Sequence, residues 1–201
     1  MIESLRDYWY LYVVLLVLIG VLIWGMTKAS KAVRSRRENL NRQRRELERY
    51  KYLVETYRDL TPARAEQADA AELVEGVAAV LQYEIERSDK GLMAAFDAAA
   101  PWRQRVYAIW YFIEDSETSL SFFFKNNGKP VTNLAVDVIR DAGQERLYLA
   151  AKSMFSMYDE DNDRVSLDKK TVAELDETFP KVYDKQALCE AVKAYILEQM
   201  R

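Results

Sequence analysis

Residues 8–27 read YWYLYVVLLVLIGVLIWGMT, twenty residues without a charge. As a helix rising about 1.5 Å per residue the run spans roughly 30 Å, the thickness of a bilayer's hydrocarbon core. A helix satisfies its own backbone hydrogen bonds and can therefore sit in lipid. Tyr8, Trp9, Tyr10 and Tyr12 gather at one end and Trp24 stands near the other, the arrangement of interfacial aromatic belts. A buried helix of a soluble domain is usually shorter and seldom has aromatics at both ends. The reading is therefore a transmembrane helix.

The flanking charge orients it. Lys28, Lys31, Arg34, Arg36 and Arg37 follow the run, whereas Arg6 alone precedes it. The positive-inside rule places the C-terminal side in the cytoplasm and the short N-terminus outside, as for a single-pass protein of a bacterial inner membrane. A cleaved signal would need a basic start and a shorter apolar core, and MIESLRDYW is not basic.

The net charge of -3 conceals a division. Residues 28–51 hold ten Lys/Arg against three Asp/Glu, and residues 52–201 hold 18 Lys/Arg against 27 Asp/Glu. The chain thus divides into an anchor (1–27), a basic spacer (28–60) and an acidic domain (61–201). The spacer lacks glycine and reads as a helix. Val33, Leu40, Leu47 and Val54 recur every seven residues, but the matching second positions are Arg36, Gln43, Tyr50 and Tyr57. Half a coiled-coil seam allows a homodimer through the spacer, and the blander reading is a solvated helix. Its basic face also suits anionic lipid headgroups.

Beyond the spacer, helical periodicity recurs without strand alternation. Thr61-Pro62 starts a helix predicted to reach about Arg87, with Leu73, Val77, Val80, Leu81 and Ile85 on one face. Asp89–Ala99 carries Leu92, Met93 and Phe96. Pro101 opens a helix to about Asp115, striped by Val106, Ile109, Trp110 and Ile113. Leu120 and Phe122–Phe124 form a second apolar patch, ended by Asn126-Asn127-Gly128. Helices follow over 130–142, 144–158, 171–177 and 185–200, the last capped by Asp184. The fold class is all-α: a transmembrane helix, a spacer helix and a bundle of about seven short helices.

The chain has no histidine, which removes the commonest general base and transition-metal ligand. Cys189, the single cysteine, sits beside Leu188 on an amphipathic helix and reads as core. Gly128-Lys129 is followed by Pro130, where a phosphate loop needs Ser or Thr. Asp159, Asp161 and Asp163 imitate a calcium loop, but Arg164 and Lys170 stand where its glycine and bidentate glutamate belong. With Glu160 they read as a solvated acidic loop. Glu114, Asp115 and Glu117 form a carboxylate cluster able in principle to do acid/base work or hold magnesium, although nothing else converges on them. The aromatics at 107–112 and 122–124 lie among acidic residues rather than interleaved with Lys and Arg, so direct nucleic-acid binding is not expected. Neither enzyme activity nor a cofactor is expected.

The run PWRQRVYAIWYFIEDSETSLSFFFKNNGKPVTNLAVDVIRDAG resembles the centre of a bacterial helical-domain family named for a DNA-mimic protein (type nineteen). That family's pattern is R-x-x-Y-x-x-W, a turn usually containing Asn-Gly-Gly, FF-x-N-x-x-G, and a helix ending before glycine. Arg103, Tyr107 or Trp110, Phe123, Phe124, Asn126 or Asn127, and Gly143 sit where those features would. Thr118-Ser119-Leu120 replaces Asn-Gly-Gly. The likeness covers about residues 62–200 and implies a helical domain; the family's named member presents acidic side chains in place of DNA phosphates. The expected function is a membrane-anchored protein-binding module with an unidentified protein partner. The alternative is a tethered DNA mimic sequestering a basic DNA-binding protein through Glu114, Asp115, Glu117, Asp159, Glu160, Asp161 and Asp163, with Glu174, Asp176 and Glu177 as further candidates. Steep loss of binding with salt would mark that alternative.

Overall fold

The computed structural model describes Leu18 and residues 39–158 and 168–201. The aromatic ends of the apolar run (Tyr8, Trp9, Tyr12, Trp24), the basic residues Lys28, Lys31, Arg34, Arg36 and Arg37, and the acidic loop Asp159, Glu160, Asp161 and Asp163 lie outside the described residues. No helix among the described residues is long and apolar enough to cross a membrane.

The chain divides into two compact units, Met1–Arg49 and Tyr50–Arg201. In the first, residues 39–49 are helical and exposed. Arg42–Glu46 and Arg44–Glu48 pair at 2.9 Å one turn apart. Such exposed pairs stabilise a helix by only about 0.3–0.5 kcal/mol each. Leu40 and Leu47 are 56% and 53% exposed. The heptad thus splits: Val54 and Tyr57, which continue its two positions, belong to the core of the second unit.

That second unit begins with helical residues 50–57 (α1). Nine helices follow among the described residues: α2 (Pro62–Gln67), α3 (Ala70–Glu86), α4 (Leu92–Asp97), α5 (Pro101–Ser116), α6 (Leu120–Asn126), α7 (Val131–Asp141), α8 (Glu145–Tyr158), α9 (Lys169–Val182) and α10 (Lys185–Gln199). The described residues contain no strand. The all-α class therefore stands, with more helices than the seven expected.

Two helices differ from the periodicity. The single helix expected from Pro62 to about Arg87 is broken at Ala68-Asp69, where Asp69 accepts a hydrogen bond from the Glu72 amide at 3.0 Å and caps α3. The break leaves the Ala68 carbonyl unpaired within its own helix, and Lys193 Nζ of α10 donates to it at 2.6 Å. The short helix expected at 171–177 extends to Lys169–Val182 because Asp168 caps it, and Pro180 falls in its last turn.

Helix α5 lies at the centre, packed against α3, α6, α7 and α10. It buries Val106, Ala108, Ile109, Phe112 and Ile113. Helix α3 is buried around much of its circumference, and Gly76, Ala78 and Ala79 keep that surface thin enough for close neighbours. Of Leu92, Met93 and Phe96 only Phe96 is buried, in a satellite cluster with Leu81 and Ile85. Leu188, Val192 and Ile196 of α10 close the core, with Cys189 among them.

Candidate functional site

Consecutive helical residues are about 100° apart, so Glu114 and Glu117, three residues apart, share one face of α5 and Asp115 points to another. The end of α5 shows the consequence. Asp115 accepts a hydrogen bond from Asn127 Nδ2 at 2.6 Å, and the same nitrogen donates to the Phe123 carbonyl at 2.9 Å. Asp115 thereby ties the ends of α5 and α6 together. Glu117 pairs with Lys185 Nζ at 2.5 Å, joining α5 to the first turn of α10. Glu114 keeps an exposed position. Desolvation raises its carboxyl above the ordinary range, opposed by the charge of Lys185 and reinforced by Glu117. The described residues contain no group of three or more Asp, Glu or Cys side chains placed to hold a metal ion.

A fourth carboxylate, expected only as part of an acidic surface, completes this end of the bundle. Asp176 of α9 accepts from the Ser121 amide at 2.8 Å and from Ser121 Oγ at 2.5 Å. Ser119, in the segment that departs from the family's Asn-Gly-Gly, caps α6 by accepting from the Phe122 amide at 3.1 Å. The first turn of α6 thus has two acceptors for its free amides. Asp176→Ala should cost about 1.5–3 kcal/mol, since a half-buried charge-assisted bond is lost. Urea unfolding of the full chain would measure it, and a change below about 0.5 kcal/mol would mean that Ser119 suffices.

The residues that carry the family likeness are structural. Arg103 pairs with Glu84 at 2.9 Å, and Tyr107 donates to the Tyr111 hydroxyl at 3.3 Å. Phe123 packs edge-on against Phe112 with ring centres 5.2 Å apart, and Phe124 lies 6.1 Å from Phe155. Gly143 adopts φ +70°, which a side chain would disfavour, and so stops α7. Burial raises the Cys189 thiol above its ordinary value, consistent with a small core residue rather than a nucleophile.

One cleft was not legible in the sequence. It holds about 400 Å³ and is lined by Tyr50, Lys51, Val54, Glu55, Arg58, Tyr83 and Arg87. The Arg58 and Arg87 guanidiniums lie 5.1 and 4.7 Å from the centre of the Tyr83 ring. Neither is within ion-pair distance of a carboxylate among the described residues. Burial, with the nearby Glu86 carboxylate, pushes the Tyr50 phenol up to about 12, so it stays neutral. The residues come from α1 and α3, and spacing along either helix alone gives no sign of the junction. A second cleft of about 380 Å³ includes Arg105, which pairs with Asp141 and lies 5.2 Å from the Tyr195 ring centre.

No protein-family model matches the chain, and no curated protein or solved structure matches it either. The likeness to the DNA-mimic family therefore rests on the quoted motif residues.

Proposed function

We propose that the chain is a single-pass membrane protein whose C-terminal helical domain acts on the cytoplasmic side as a non-enzymatic protein-binding module. The observation that carries this reading is the charge-free run at 8–27 followed by five basic residues at 28–37. Two features of the domain bear on the non-enzymatic part, since they leave these groups unavailable for catalysis. Asp115, Glu117 and Asp176 are engaged in joining helices, and Cys189 is buried.

The full chain should resist carbonate extraction of membranes. Leu15→Lys together with Leu18→Lys should release it to the soluble fraction, because each charge at a helix centre costs about 2.5–3.5 kcal/mol. Protease should cleave the domain in inverted vesicles and spare it in intact spheroplasts. A wild-type chain that washes off with carbonate overturns the anchor. For the module, affinity capture from membranes at low and high salt should retain the same partner protein at both. Capture of the bait alone counts against binding, and a basic DNA-binding partner lost at high salt favours mimicry instead.

A further inference from the structure

We propose that the cleft between α1 and α3 binds a dianionic phosphate group, either on a small soluble molecule or on a lipid headgroup. Three cations line it, Lys51, Arg58 and Arg87, against Glu55, with the Glu86 carboxylate near Tyr50. This concentration of positive charge occurs in a unit, residues 50–201, whose net charge is -8. Each arginine stands at the C-terminal end of a helix: Arg58 directly follows α1, and Arg87 is the C-cap of α3. A cation there complements the helix dipole. That accounts for one positive charge at each place. Cation–π attraction holds each guanidinium near the Tyr83 ring, and two like charges sharing one ring repel each other.

A bridging anion resolves the repulsion. The guanidinium fork matches the paired oxygens of a phosphate, and Lys51 adds a point charge at the rim. Stacking on Tyr83 holds both forks without using their N–H donors, which stay available for the ligand. The neutral Tyr50 hydroxyl at the cleft adds a further group able to donate. The volume of about 400 Å³ exceeds what one phosphate fills and leaves room for the organic group that carries it.

The test uses full-length protein in nanodiscs of phosphatidylcholine, titrated with pyrophosphate, and in nanodiscs containing phosphatidic acid without pyrophosphate. The readouts are the side-chain Nε–H resonances of Arg58 and Arg87 in the wild type and, in every variant as well, the backbone amide resonances of residues 58, 83 and 87. Pyrophosphate should shift both. R58Q/R87Q should weaken binding about 100-fold, and R58K/R87K, which keeps the charge and loses the forks, about tenfold. Both arginines are exposed, so R58Q/R87Q should stay folded, with the melting temperature lowered by no more than about 4–8 °C as their helix-end and ring contacts are lost. Shifts with pyrophosphate assign a soluble phosphate, and shifts with phosphatidic acid alone assign a headgroup. No shift in either arm, or equal affinity in R58Q/R87Q, overturns the site. The outcome is independent of the partner-capture experiment.

Discussion

Phe112→Ala should lower the unfolding free energy by about 3–5 kcal/mol, the range for emptying a fully buried phenylalanine site. Phe112 has 0% exposure. Its ring meets Phe123, Phe179 and Tyr183 edge-on, with interplanar angles of 78°, 81° and 79°. Edge-to-face pairs add about 0.5–1.5 kcal/mol beyond burial. These partners come from α6, from α9 and from the residue after α9, so the deletion loosens three junctions of α5 at once. Phe122, 39% exposed in the same aromatic run, is the control. Phe122→Ala should change stability by no more than about 0.5 kcal/mol. Urea unfolding followed by circular dichroism separates the two. A loss below about 1 kcal/mol at Phe112 would mean that the neighbours collapse into the space.

Tyr57→Ala should cost about 3–5 kcal/mol and reverse the effect of a second substitution. Tyr57 is 4% exposed, and its hydroxyl donates to Glu72 Oε1 at 3.0 Å. Its ring lies directly over Gly76 of α3, where an added Cβ would collide with it. Glycine within a helix normally costs about 1 kcal/mol relative to alanine. Gly76→Ala alone should nonetheless destabilise, because overpacking of about 1–3 kcal/mol exceeds the propensity gain. In the Tyr57→Ala background the collision disappears, and Gly76→Ala should stabilise by up to about 1 kcal/mol. This change of sign is what contacting residues show in a double-mutant cycle. Additive effects would mean that α1 does not dock on α3 in solution.

Much of the helical content could be read from local signals. Val106, Ile109 and Ile113 repeat at helical spacing because one face of α5 is buried. Thr61 and Asp184 stand just before their helices because each side chain accepts an amide that has no partner inside the helix. Other features had no local signal. Asp69 looks like any surface aspartate until Lys193, 125 residues from Ala68, is seen to take the carbonyl freed by the break. Ser121 and Asp176 are 55 residues apart and Glu117 and Lys185 are 68 apart, so no window along the chain contains either pair.

The candidate carboxylates show the same limit. Sequence placed Glu114, Asp115 and Glu117 together; in the fold Glu114 and Glu117 both lie near Lys185, while Asp115 turns to Asn127. The Arg58–Tyr83–Arg87 cleft shows the converse, since residues unremarkable in their own helices meet where α1 crosses α3. Charge segregation, the apolar run at 8–27, the absence of histidine and the helical class are properties of composition and local periodicity, and the amino-acid order was sufficient for them. Which polar groups meet depends on how helices cross. Crossing is set by the mutual fit of buried side chains such as Tyr57 on Gly76 and Phe112 among its aromatic partners, and that fit exists only once distant segments are packed.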